Sequence, residues 1–278
     1  MRKQAALSPG NLTMMAVFAH PDDEAFGVGG SLAKCAREGI AVHLVTATRG
    51  EAGAIAQSEL ATEANLPYVR EQELRCACEV YGIHPPHFLD YVDGQLTVVH
   101  QGQAVGKVVR LIRELRPHVV LTFGPDGIYG HYDHLAVHRW VSIAVELAAN
   151  PECFPEQVAG ACSPHTVSKL YYAVLDEAQY LGMMGAGPRP VVMMDGVPFP
   201  MEYRRAEDIT TVISIAEVLE TKIRALRCHA TQVSSANEES FVQRMLRLPA
   251  FQQECFVLAR STVACPKGVE TDLFSSLR

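Results

Sequence analysis

No stretch of this chain approaches the ~20 consecutive apolar residues that a helix needs to cross a bilayer, so no helical membrane span is expected. There is no Cys-x-x-Cys pair. The eight cysteines, at 35, 76, 78, 153, 162, 228, 255 and 265, are spread over a chain of 278 residues, which predicts reduced and partly buried thiols in a cytoplasmic protein. No block of like charge occurs, and the formal charge of -7 argues against a nucleic-acid groove or an anionic membrane surface as partner. Internal repeats and low-complexity tracts are absent, and with 48% hydrophobic residues the chain is expected to be ordered nearly throughout. The apolar stretch Leu12 to Ala19 runs into His20 without a small-residue cleavage site, so the Met1-Arg2-Lys3 start is not read as a signal peptide.

What the chain does have is an alternation of strand and helix signals, which predicts an α/β fold: Rossmann-like, with a mostly parallel sheet and helices on both faces. Expected strands are Met14 to Ala19, Ala41 to Thr48, His87 to Leu89, Val119 to Phe123 and Leu170 to Leu175. Apolar residues recur at helical spacing over Phe26 to Glu38, Tyr68 to Tyr81, Ala104 to Leu115, His134 to Ala149, Ile215 to His229 and Ser240 to Arg247. Residues 182 to 201, rich in Gly, Pro and Met, read as a loop or flap, and Ile209 to Ile213 as an antiparallel edge strand. The length fits a single domain with its core over 12–180, the flap and a small C-terminal elaboration occupying 181–278.

Two clusters carry chemistry. Ala19-His20-Pro21-Asp22-Asp23-Glu24 follows the first strand, and clustered carboxylates at a strand end are costly unless something positive binds them. A solvated turn capping the next helix is the bland alternative. His131-Tyr132-Asp133-His134 follows the fourth strand, beyond the loop Gly124-Pro125-Asp126-Gly127. In a parallel sheet both clusters fall on the carboxyl edge, as do Arg49 and Glu51 after the second strand and Asp93 after the third. Two imidazoles and one carboxylate can hold a divalent ion and leave positions open for water and substrate. His134 and His138 lie on one helix face, yet no His-Glu-x-x-His arrangement joins them. Arg49 either faces a substrate or pairs with Glu51 or Glu24, and Glu24 and Arg70 read as supporting or capping groups. Gly27-Val28-Gly29-Gly30 raises a dinucleotide-binding alternative, but Leu32 stands where a third glycine belongs and the acids at 22–24 would repel a pyrophosphate.

The pairing of Ala-His-Pro-Asp-Asp-Glu with His-x-Asp-His resembles the LmbE-like/PIG-L family of zinc-dependent N-acetylglucosaminyl deacetylases. Thr48-Arg49-Gly50-Glu51, Arg70, Glu73, Asp93-Gly94 and His229-Ala230-Thr231-Gln232 support the likeness, while Cys153 to Asp208 carries no landmark. The resemblance implies an enzyme that hydrolyses the acetamide of a small-molecule N-acetylglucosaminide, with Zn2+ held by His20, Asp23 and His134, although Fe2+ or another divalent ion suits the same ligands. It further implies Asp22 as general base and His131 as oxyanion stabiliser or acid, oriented and kept protonated by Asp133. Arg49, Glu51, Asp93 and His229 are the residues then expected to meet substrate. An amidase of a glucosaminide thiol conjugate and an inactive sugar-binding protein of the same fold are the alternatives, and self-association is left open.

Overall fold

The computed structural model describes residues 8–160, 162–184, 191–194, 196–233 and 247–278. Its strands are β1 (Thr13–Phe18), β2 (Ala41–Thr46), β3 (His87–Phe88), β4 (Val119–Phe123), β5 (Lys169–Val174), β6 (Val191–Met194), β7 (Val197–Pro200), β8 (Thr211–Ser214) and β9 (Gln253–Ser261). The helices are α1 (Asp23–Gly27), α2 (Gly29–Arg37), α3 (Leu66–Tyr81), α4 (Gln101–Leu115), α5 (Gly127–Gly130), α6 (Tyr132–Leu147), α7 (Pro155–Ala159), α8 (Glu177–Met184) and α9 (Leu219–Cys228). A seven-stranded sheet runs in the order β3-β2-β1-β4-β5-β9-β8. The first five of these strands are parallel, β9 runs antiparallel to β5, and β8 closes the edge antiparallel to β9. The central strands β1 and β4 are apolar and buried almost throughout, as a strand covered on both faces must be. Helices α2, α3 and α9 pack together, as do α4 and α6. Among the described residues no helix is long and apolar enough to cross a membrane.

The strand order reverses between β1 and β4, so the loops leaving these neighbours diverge and open a crevice at the carboxyl edge. Because β9 is antiparallel, its beginning lies beside the end of β5, with Val174 opposite Cys255, and joins the same edge.

Several expectations need correction. The helix expected over Phe26 to Glu38 is interrupted at Val28 (φ -132°, ψ 7°). Tight packing explains the glycines that follow: a Cβ on Gly30 would come within 2.6 Å of the Ile215 side chain. The N-terminus of α2 is occupied from within the chain, since the Glu254 carboxylate accepts the N–H groups of Gly30 (2.9 Å) and Ser31 (2.7 Å). A pyrophosphate would have to displace that carboxylate, which removes the dinucleotide reading. Strand β9 escaped the sequence reading, because buried charge at Glu254 breaks its apolar pattern. The segment read as a flap contains the antiparallel hairpin β6–β7. The helix expected over Ser240 to Arg247 lies outside the described residues except for Arg247, which sits in a turn. Nor are all thiols reduced: Cys76 on α3 and Cys228 on α9 form a disulfide, brought together by the packing of those helices with their Cα atoms 5.8 Å apart.

Candidate metal centre and active site

The loop after β1 turns sharply. Asp22 has φ 107°, a conformation costly for a residue with a side chain, and its backbone N–H is held by the Glu24 carboxylate at 3.0 Å. The turn aims Asp23 back at the strand end, where its Oδ2 accepts the N–H groups of His20 (2.8 Å) and Ala19 (3.2 Å). Oδ1 is left 3.3 Å from His134 Nε2. The His134 ring lies flat on Phe123, 3.9 Å between centroids, and its Nδ1 bonds the Gly127 carbonyl. That fixes Nε2 as the atom facing the site, where it is buried and has no hydrogen-bond partner.

His20 completes the set. Its Nε2 bonds Asp93 (2.9 Å) and Asp133 (3.2 Å), which places the proton on that nitrogen and turns Nδ1 toward Asp23, 3.5 Å away. Donor atoms of His20, Asp23 and His134 all lie within 4.8 Å of one another. A second grouping, His20, His131 and Asp133, meets the same distance, but the Asp133 carboxylate is already spent on Gly94 N–H (2.7 Å), Leu96 N–H (3.1 Å) and His20. The first set fits a divalent ion better. Its unpartnered imidazole nitrogen and half-free carboxylate lack a cation, and burying them without one would be costly.

Without a metal, the imidazoles themselves supply the positive charge beside Asp23. Burial would raise the Asp23 carboxyl, but His134 and His20 beside it pull it well below the usual range. Burial would lower His20, but bonds to Asp133, Asp23 and Asp93 lift it well above the ordinary value. Asp22 differs from both. Burial lifts it to about 6 against the pull of Arg70, with Asp23 and Glu24 pushing the same way. Arg70 on α3 is buried, 3.2 Å from Asp22 Oδ2, and donates also to the carbonyls of Gly50 (2.6 Å) and Pro21. Only a glycine fits at position 50, because a Cβ there would lie 2.1 Å from the guanidinium and φ is +69°.

His131 precedes α6 and its Nδ1 accepts the Asp133 N–H at 3.1 Å, so its proton is on Nε2. The expectation that Asp133 keeps it protonated does not hold. Burial and the neighbouring His134 and His20 push His131 down to about 4, and Asp133 positions it through the backbone while its carboxylate serves His20.

Of the other expected contacts, Asp93 reaches the cavity and Arg49 and His229 are engaged elsewhere. Arg49 pairs with Glu71 (2.6 Å) and Asp90 (2.7 Å) and lies over Phe88, away from the cavity, while Glu51 accepts its backbone N–H. Asp93 borders the cavity with its carboxylate engaged by His20 and by Ala52 N–H. His229 is wholly buried behind the turn, 2.7 Å from Glu24, with Thr231 bonded to Glu73. Of the C-terminal motif, Gln232 reaches the cavity.

The site is flanked by two cavity lobes that share Asp22, Asp23 and Tyr129 as lining residues. One of about 350 Å³ is polar and includes His20, Arg70, Asp93, His131, Tyr132 and Gln232. The other, of about 290 Å³, is largely apolar and extends toward the ends of β5 and β9. Tyr129 went unnoticed in the sequence. Its neighbour Ile128 has φ 70°, and the glycines at 127 and 130 flanking this turn were the available signal.

The family profile of PIG-L, GlcNAc-PI de-N-acetylase, matches residues 15–145. A 1D-myo-inositol 2-acetamido-2-deoxy-alpha-D-glucopyranoside deacetylase from Rhodococcus opacus (strain B4) is 36% identical over 294 residues, covering 95% of this chain and 98% of its own. Among solved structures, N,N'-diacetylchitobiose deacetylase from Pyrococcus horikoshii aligns with a TM-score of 0.68 at 17% identity, over 88% of this chain and 83% of that one. The 4-carboxy-2-hydroxymuconate hydratase of Pseudomonas putida KT2440 aligns with a TM-score of 0.64 at 18% identity, over 92% and 99%. These two likenesses concern the fold, which serves more than one chemistry.

Proposed function

This chain belongs to the PIG-L family, and from that membership together with the site we propose that it is a zinc-dependent hydrolase removing the N-acetyl group of a small N-acetylglucosaminide. The observation that carries the reading is the buried, unpartnered Nε2 of His134 facing Asp23 and His20, with Asp22 beside them lining both lobes. A zinc ion held by these three residues would supply Lewis-acid polarisation of the amide carbonyl and acidify a water.

The remaining work falls to the chain. Asp22, held near 6 and steadied by Arg70, is suited to take a proton from the attacking water and return it to the leaving amine. His131, neutral and fixed at Nδ1, presents Nε2–H as a donor to the carbonyl oxygen as it gains negative charge. Arg70, Asp93, Gln232 and Tyr132 surround the space left for a sugar. The relative from Rhodococcus opacus makes the inositol glucosaminide the first substrate to assay. A cytoplasmic setting is part of the proposal; the six free cysteines speak for it and the Cys76–Cys228 disulfide against it.

The test is release of acetate and free amine from a panel of N-acetylglucosaminides, with elemental analysis of the protein and of His20→Ala, Asp23→Ala and His134→Ala. Zinc should be present in the parent and depleted in each variant. A protein that binds zinc and sugar yet releases no acetate from any of the panel would be a binding protein of the same fold.

A further inference from the structure

The apolar lobe is far larger than the methyl of an acetyl group requires. It begins at the wall formed by Asp23 and His134 and runs under Phe26 and Phe123 to Ala173, Phe251 and Cys255, enclosing about 290 Å³. An apolar cavity of roughly 150 Å³ already holds a benzene molecule, so this one has room for on the order of six to eight carbons beyond the carbonyl. Apart from Asp22, Asp23, Tyr129 and His134 next to the polar lobe, the polar side chains at its border are already engaged. Lys222 bonds Glu254 at 2.6 Å and the Phe26 carbonyl at 3.2 Å, and Gln179 bonds the Gln253 carbonyl at 2.9 Å. Beyond those four residues a sugar hydroxyl would lose its water without finding a partner, whereas methylenes would gain from burial.

An amide carbon held at the metal ligands has its two substituents on opposite sides. The amine side carries the sugar, and the lobe with Arg70, Asp93, His131 and Gln232 is the one able to receive it. The acyl side must then face the other lobe. Resting on the deacylase reading above, we propose that the enzyme accepts and prefers N-acyl glucosaminides whose acyl chain is longer than acetyl, with the chain buried in the lobe between β4, β5 and the start of β9.

Two measurements test this. The first is calorimetric binding of acetate, butyrate, hexanoate and octanoate to the zinc-loaded protein, a readout independent of turnover. Affinity should rise by about fourfold per methylene, the equivalent of about 0.8 kcal/mol, until the lobe is full, with a negative heat-capacity change. Ala173→Leu should cut the affinity for hexanoate relative to acetate, and Met201→Trp, at another border of the lobe, serves if the first variant fails to fold. The second is kcat/KM for N-acetyl, N-butyryl and N-hexanoyl forms of the same glucosaminide, which should rise with chain length and lose that rise in the same variants. Equal affinity for acetate and hexanoate would overturn the proposal, as would binding of octyl glucoside that is abolished by Ala173→Leu, because the lobe would then take an alkyl aglycone. Chain-length-dependent acid binding with no hydrolysis of any N-acyl form would instead sink the deacylase reading and leave an alkyl carboxylate site.

Discussion

Replacing Arg70 with methionine keeps much of the side-chain volume and removes the guanidinium that faces Asp22 at 3.2 Å. An arginine beside an aspartate ordinarily lowers the carboxyl by about 1–3 pH units, so its loss should raise Asp22 from about 6 by a similar amount. The sign follows from the role proposed for Asp22, since a base must be ionised to work. A rise of about two units would turn a carboxylate roughly nine-tenths ionised at pH 7 into one roughly one-tenth ionised, and kcat/KM there should fall about tenfold. The loss should be recovered at alkaline pH, with the acid limb of the profile displaced upward and the zinc content unchanged. Stability should also suffer, by about 3–5 kcal/mol, because Asp22 and the carbonyls of Gly50 and Pro21 lose their buried donor. Arg70→Lys retains the charge without the fork, so it should hold the limb near its original pH while still lowering Tm. Profiles of kcat/KM between pH 5 and 10, recorded below the unfolding range, decide the matter. A folded, zinc-replete Arg70→Met enzyme with an unmoved limb and a uniform loss of rate would show that Arg70 only braces the loop.

Asp22→Asn should retain zinc and lose at least about two orders of magnitude in turnover, and loss of zinc along with activity would make Asp22 a metal ligand instead. His131→Ala should lower kcat by about 10²–10³-fold with little change in KM; since the imidazole is neutral, the alkaline limb should stay in place, and its disappearance would restore a protonated His131. Away from the site, burial and the neighbours His84 and His87 push His43 down to about 4, with the His43 and His84 rings stacked 4.2 Å apart. The unfolded chain takes up this proton near 6.5 and the folded one near 4, so the stability is full above pH 6.5 and lost as pH falls toward 4. His43→Asn should flatten that dependence of Tm, and an unchanged acid slope would clear this cluster of responsibility.

The parallel half of the sheet was readable because buried strands declare themselves as apolar runs: Val119 to Phe123 is strand β4 to the residue. Where side chains answer to distant partners, the local pattern misleads. Glu254 looks like an interruption until the N-terminus of α2 and Lys222 are placed around it, and Val28 looks helical until Ile215 presses on Gly30. The site divides the same way. His20, Asp23 and His134 converge because strand ends converge, which topology alone implies. Arg49 stands at an equally promising strand end, but Glu71 on α3 and Asp90 claim it, and nothing within its own motif announces them. The Asp133 carboxylate is turned toward His20, a partner far away in the chain, while its amide serves His131 close by.

The bond between Cys76 and Cys228 makes the polypeptide a lariat, a closed ring with two free tails. His20, Asp22 and Asp23 sit on the leading tail; His131, Asp133 and His134 ride in the ring, as does the hairpin beside them. A single cut anywhere in the ring would leave every residue of the proposed site on one covalent molecule, migrating as a whole until a reductant is added. The disulfide matters most for a cut between Cys76 and His131, which would put the two halves of the proposed metal centre on different peptide segments yet leave them covalently joined.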